Sequence, residues 1–271
     1  MNPSAHIRPP AVAGLFYPAD ADELVRDIQA YLAAVPAAEP TTPKALIVPH
    51  AGYVYSGAVA AQAYARLAPL RRTIRRVVLL GPAHRVPIRG LALPAAEGFA
   101  TPLGCVAIDA EGACAALALP QVSASDVAHN LEHSLEVQLP FLQTVLDDFT
   151  LLPFAVGAAA PVQVAEVLDL LWGGPETLIL VSSDLSHFHT YAQAQGIDRH
   201  TVDEILAGDS RLDHEQACGA TPINGLLLCA RRRGMRIELL DLRNSGDTAG
   251  DRARVVGYAS FALTENPDGR N

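Results

Sequence analysis

The sequence predicts an α/β fold, a single domain with a mostly parallel or mixed central sheet flanked by helices, and three observations carry that prediction. Runs of Val, Ile and Leu at 45–48, 76–80, 151–156 and 177–181 are apolar almost throughout, as strands covered on both faces are. The segments between them are long enough for helices, and this alternation is the pattern of an α/β domain. With 271 residues, 50% of them hydrophobic, the chain has ample material for a sizeable core.

The elements follow in order. Asp20-Ala21-Asp22-Glu23 has the acidic cap, with a Glu three residues on, that opens a helix, and Leu24, Ile28, Tyr31 and Leu32 give that helix an apolar face. Further helices are expected at 56–67, at 134–146 around Pro140, and at 162–171, 199–206 and 222–232. Runs at 235–240 and 254–259 read as two late strands. Residues 36–43 form a short Pro/Thr-rich connection and 264–271 a frayed polar tail. Nothing demands a domain boundary, so 1–271 reads as one domain.

Composition excludes several classes. The net charge is −9, and no basic run extends beyond Arg231-Arg232-Arg233, which argues against a general nucleic-acid or anionic-membrane surface. The expected partner is a small molecule or a protein. No apolar run approaches the ~18 residues of a membrane helix, and the first residues lack the features of a signal peptide, so a cytoplasmic protein is expected. The four cysteines form no C-x-x-C pair and are expected to be reduced. The bias toward Ala, and toward Arg over the single Lys44, reads as a bacterial chain. There is no G-x-G-x-x-G after a strand, no P-loop, no G-x-S-x-G elbow and no H-E-x-x-H, so dinucleotide, P-loop, serine-hydrolase and zincin chemistry all lose support.

Three apolar strands each deliver a histidine just past the carboxyl end: His50 after 45–48, His84 after 76–80 through Gly81-Pro82-Ala83, and His187 after 177–181 through Ser182-Ser183-Asp184-Leu185-Ser186. Ligands bind at that edge of open α/β sheets, because the strand-to-helix loops converge there. Histidines so placed bind a divalent transition metal or move protons. Asp184 stands where it could orient His187, and Glu132-His133 opens another loop-to-helix junction. A late polar turn, from Asp241 to Thr248, brings two carboxylates.

Pro49-His50-Ala51-Gly52-Tyr53, Leu80-Gly81-Pro82-Ala83-His84, Glu132-His133-Ser134-Leu135-Glu136, Ser182-Ser183-Asp184-Leu185-Ser186-His187 and Asn244-Ser245-Gly246-Asp247 occur in an order and spacing that resemble the Memo family. That family includes the animal mediator of cell motility and the bacterial AmmeMemoRadiSam system protein B. Ala13 to Pro18 and Tyr258-Ala259 extend the likeness over nearly the whole chain. The resemblance implies a fold similar to class III extradiol dioxygenases and a mononuclear metal, iron(II) ahead of copper or zinc, on His50 and His84. The animal protein's third ligand is a cysteine in a late loop. Here Thr248 stands at or near its place, so the resemblance gives no cysteine ligand, and Asp247 is expected to complete two histidines and one carboxylate. His187 would be the acid/base, oriented by Asp184, and His133 a secondary pocket residue. The implied function is a non-haem iron or copper oxidoreductase of dioxygenase-like architecture acting on an unknown substrate. The alternatives are a non-catalytic binding or adaptor module and a metal-dependent hydrolase. Radical-SAM and AMMECR-type proteins are the implied partners.

Overall fold

A computed structural model describes residues 6–37 and 41–265. Part of the expected connection at 36–43 and most of the expected tail at 264–271 lie outside the described residues. The strands are β1 (Ile7–Arg8), β2 (Ala45–Val48), β3 (Arg76–Pro82), β4 (Leu91–Leu93), β5 (Gly98–Thr101), β6 (Gly104–Ala107), β7 (Val122–Ala124), β8 (Thr150–Val156), β9 (Thr177–Ser182), β10 (His187–His189), β11 (Arg236–Asn244) and β12 (Val255–Thr264). The α-helices are α1 (Ala21–Ala33), α2 (Tyr53–Tyr64), α3 (Ala110–Leu117), α4 (Asp126–His129), α5 (Leu139–Val145), α6 (Pro161–Leu171), α7 (Tyr191–Leu206), α8 (Ala220–Arg232) and α9 (Ser245–Thr248). Short 3-10 turns cover Ala65–Leu70 and Glu136–Gln138.

The fold is the mixed α/β sheet that the sequence predicts. Nine strands run in the order β10-β12-β2-β9-β3-β8-β4-β7, with β11 paired to β12. β2, β9, β3 and β8 are parallel, whereas β12 joins β2, and β4 joins β8, in antiparallel fashion. The central strands read as unbroken apolar runs because both faces are covered. Val78, Leu80, Ile179 and Val181 pack toward α6 and α8, while Val77, Leu79, Leu178 and Leu180 pack toward α1, α2 and α5. Parity along each strand thus divides the core into two layers.

Local chemistry starts the helices. Asp20 Oδ1 accepts the Glu23 N–H at 2.9 Å to cap α1, as the sequence predicts, and Pro161 occupies the first turn of α6. Three expectations shift. α2 starts at Tyr53 rather than 56, and α7 starts at Tyr191 rather than 199. The helix expected over 134–146 is broken into a turn, a 3-10 segment and α5, because its first residues are held by side chains of the site. A second, three-stranded sheet, β1-β5-β6, lies beside the main one and has no counterpart in the sequence reading. Among the described residues no helix is long and apolar enough to cross a membrane.

Candidate metal centre

β2, β9 and β3 lie side by side and parallel, so their carboxyl ends open on one edge. Each places a polar residue two positions beyond its last: His50 after Val48, Asp184 after Ser182, His84 after Pro82. The loops are fastened to one another. Asp184 Oδ1 accepts the His50 backbone N–H at 2.7 Å, and the Ser183 N–H donates to the Val48 carbonyl at 2.9 Å.

A further loop reaches this edge from the side. Glu132 is fully buried and accepts four hydrogen bonds: at Oε2 from the His84 N–H (2.5 Å), and at Oε1 from His84 Nδ1 (3.0 Å) and from the His133 and Ser134 N–H groups (both 2.9 Å). Burial alone pushes this carboxyl up, but the His84 ring and these N–H donors outweigh it and hold the group near 2. The carboxylate is therefore charged and accepts only, so His84 Nδ1 carries a hydrogen and Nε2 is the ring atom that faces away from Glu132. The loop comes this close because residue 81 is glycine: a Cβ there would stand 2.7 Å from Ser134 Oγ.

The result is a cluster of three imidazoles. Nitrogens of His50, His84 and His133 lie within 4.8 Å of one another, and the ring centroids are 4.8–5.4 Å apart. Burial, followed by the neighbouring histidine, lowers His50 to about 3 and His133 to about 4, so both are neutral donors at pH 7. Three nitrogens ~2.1 Å from one ion stand ~3.0–3.6 Å apart. The cluster would draw in by about an ångström on closing round an ion, and buried His133 Nδ1 has no hydrogen-bond partner, so the three imidazoles offer a donor set that suits a transition metal. A thiol lies beside them: Cys218 Sγ is 3.4 Å from His50 Nε2. Burial, then Asp184, pushes that thiol up to about 12, which makes it a thiol rather than a thiolate in the metal-free protein.

The expected residues separate into two places. His50 and His84 come together as the sequence suggests. His133, expected as a secondary pocket residue, is the third member of the cluster. Asp247 is not: its Oδ2 accepts the Asn244 N–H at 3.0 Å and its Oδ1 the Tyr191 hydroxyl at 2.5 Å, in a capping box at the start of α9. The Asn-x-x-Asp spacing is a local helix-start motif, and that demand takes the carboxylate. The expectation that no cysteine reaches the site is also corrected, since Cys218, in the loop before α8, does. Asp184 bonds the backbone of His50 and so holds the β2 loop, and it lines the same cavity as His187, the residue it was expected to orient.

His133, Asp184 and His187 line a cavity of about 440 Å³, together with Phe16, Tyr55, Arg254 and Tyr258. The cavity therefore opens directly onto the cluster. A family model described as Memo-like protein matches residues 8–262. The chain belongs to the Memo-like family. Curated relatives described as MEMO1 family proteins include one from Methanosarcina mazei, 38% identical over 95% of this chain and 99% of its own. Those from Archaeoglobus fulgidus, at 35%, and Aquifex aeolicus, at 36%, are covered to 99% and 97% of their lengths. The relatives are thus archaeal as well as bacterial. Among solved structures, an uncharacterised protein of Escherichia coli K12 aligns with a TM-score of 0.54 over 83% of this chain and 100% of its own. At 14% identity that likeness establishes a shared fold for this Memo-like chain and nothing more.

Proposed function

We propose that this Memo-like protein is a metal-dependent oxidoreductase. His50, His84 and His133 would hold one divalent transition metal, and the adjoining cavity would bind the substrate. The observation that carries this reading is that His133 belongs to both: it is a member of the imidazole cluster and a wall of the cavity. The donor set shifts the expected metal. Without Asp247 the site offers three imidazoles with a thiol at its edge, which suits copper or zinc as well as iron(II). When bound, a redox-active ion would polarise a chelating substrate and accept or give electrons.

The protein's own groups have separate tasks. His187 sits on the cavity wall clear of the cluster and is the group placed to hold or move a proton. Burial raises the Asp184 carboxyl, and its bond to the His50 N–H fixes the β2 loop. Phe16 packs its ring 4.8 Å from that of His133 and, with Tyr55, gives the cavity an aromatic wall.

Metal analysis of protein purified without chelators tests the reading. One ion per chain is expected, and it should be lost from the His50→Ala/His84→Ala variant. Oxygen uptake across a panel of chelating substrates should require the ion and fall in His187→Ala, which keeps it. Protein that neither carries nor takes up metal would overturn the proposal.

A further inference from the structure

Against His50 lie two buried polar side chains that the proposed chemistry leaves idle, Gln138 and Ser182, together with the backbone carbonyl of Ser134. We infer that they form a one-directional hydrogen-bond clamp that fixes His50 as its Nδ1–H tautomer and so turns a bare Nε2 lone pair toward the imidazole cluster. This deepens the reading of the cluster as a metal centre, on which its consequence for affinity rests.

The direction of every bond follows by elimination. The Pro49 carbonyl can only accept, and a side-chain atom of Gln138 lies 3.0 Å from it, so that atom is Nε2. The second hydrogen of Nε2 goes to Ser182 Oγ at 2.7 Å, and Gln138 Oε1 takes the Tyr64 hydroxyl at 2.6 Å. Flipping the amide would set two carbonyl oxygens against each other in a dry interior. The amide is thus fully used and fixed.

Ser182 Oγ has a single hydrogen and three neighbours: the Ser134 carbonyl at 2.6 Å, Gln138 Nε2 at 2.7 Å and His50 Nδ1 at 2.8 Å. The carbonyl accepts only, so it receives that hydrogen. The oxygen must then accept from both of the others. His50 Nδ1 is therefore the donor, and a neutral imidazole carries just one N–H, so Nε2 is bare. The remaining neighbours agree. Ser134 Oγ is committed to the Pro82 carbonyl at 2.9 Å, so it cannot compete for Ser182. The Cys218 thiol, 3.4 Å from Nε2, is a donor that a bare nitrogen can receive. The clamp also links the loops, because Ser182 ends β9, Gln138 ends the 3-10 turn and Pro49 precedes His50. Partners of this kind raise ligand basicity and fix ring orientation, and losing one costs ~10–100-fold in metal affinity.

Nitrogen NMR on metal-free protein labelled with 15N-histidine decides the tautomer without any variant. His50 should show a protonated Nδ1 and an unprotonated Nε2 near pH 7, and a protonated Nε2 would overturn the clamp. Titration with Zn2+ alone tests the consequence. Ser182→Ala should weaken binding ~10–100-fold and let the His50 signals move toward a tautomer mixture, while Ser182→Thr, which keeps the hydroxyl, should restore both. A Ser182→Ala protein that is merely less stable, with unchanged Zn2+ affinity and His50 tautomer, would overturn the proposal. Should that variant fail to fold, the native spectrum and Ser182→Thr still decide. The two readings fail separately: Nδ1–H without Zn2+ binding sinks the metal centre alone, and Nε2–H with Zn2+ binding sinks the clamp alone.

Discussion

Glu132 gathers two of the three imidazoles through one carboxylate, with Oε1 3.0 Å from His84 Nδ1 and 3.3 Å from His133 Nδ1. Its charge, on the acceptor of the His84 Nδ1 hydrogen, would make that ring a better ligand, and its backbone bonds are what hold the loop. Glu132→Gln keeps the shape and removes the charge. Its Zn2+ affinity should fall ~10–100-fold by calorimetry, with a nearly native circular dichroism spectrum. Unchanged affinity would show that the carboxylate serves the loop alone. A few residues earlier, His129 makes a different prediction. It is buried, bonds the Ala92 carbonyl through Nε2 at 2.9 Å, and is lowered to about 4, chiefly by burial. The unfolded chain takes up this proton near 6.5 and the folded protein only near 4, so the stabilisation is complete above 6.5 and is lost as the pH falls toward 4. His50 and His133 act in the same direction. Urea unfolding at pH 7 and pH 5 should show a clear loss at the lower pH, and His129→Gln should shrink that loss by about 2 kcal/mol.

Among the elements, β10 is the one whose backbone is out of the ordinary. Phe188 has φ of 63°, the one non-glycine residue in the left-handed region among those described, and it lies 62% exposed between His187 and His189. The register of β10 against β12 shifts at the same place. This bulge interrupts the alternation of the strand beside the cavity-lining His187. Stability should therefore rank Phe188→Gly at or above the native protein and Phe188→Val below it, by about 1–3 kcal/mol, in thermal unfolding. A ranking by side-chain size would contradict this. Elements of this size also mark where the sequence stops being readable. The apolar runs of β2, β3, β8 and β9 announce themselves, and so do the histidines at two of their ends. β1, β4, β5, β6 and β7 are two to four residues long, too short for any period, and their pairings are settled by distant partners. His133 was legible as a pocket residue but not as a member of the imidazole cluster, and Cys218 was not legible at all, since neither follows a central strand and only the fold brings them to His50. Asp247 misled because its place in the chain suggested a ligand, while Asn244, three residues before it, already marked a capping box.

At the scale of the whole molecule, one buried ion pair ties the small sheet to the site. Arg8, on β1, reaches Glu136 Oε2 at 2.5 Å and also donates to the carbonyls of His129 at 2.9 Å and Glu132 at 2.7 Å. Glu136 in turn accepts from the Ala11 and Val12 N–H groups and from the Tyr17 hydroxyl, so the segment before α1 is stitched beneath the loop that carries His133. Both side chains are almost wholly buried, and the pair stabilises only while both are present. Arg8→Met would leave a carboxylate in a dry interior and two loop carbonyls without donors, at a cost of about 3–5 kcal/mol. Adding Glu136→Gln removes the stranded charge and keeps an oxygen for Val12 and Tyr17, at the loss of the Ala11 bond alone, so Arg8→Met/Glu136→Gln should be more stable than Arg8→Met alone. Urea unfolding of the native protein, both single variants and the double variant closes the cycle. Additive losses would mean that the two side chains act independently and that the small sheet is not braced through them. The same set read for Zn2+ affinity carries the argument back to the site, because Arg8→Met also frees the Glu132 carbonyl, and affinity should fall along with stability.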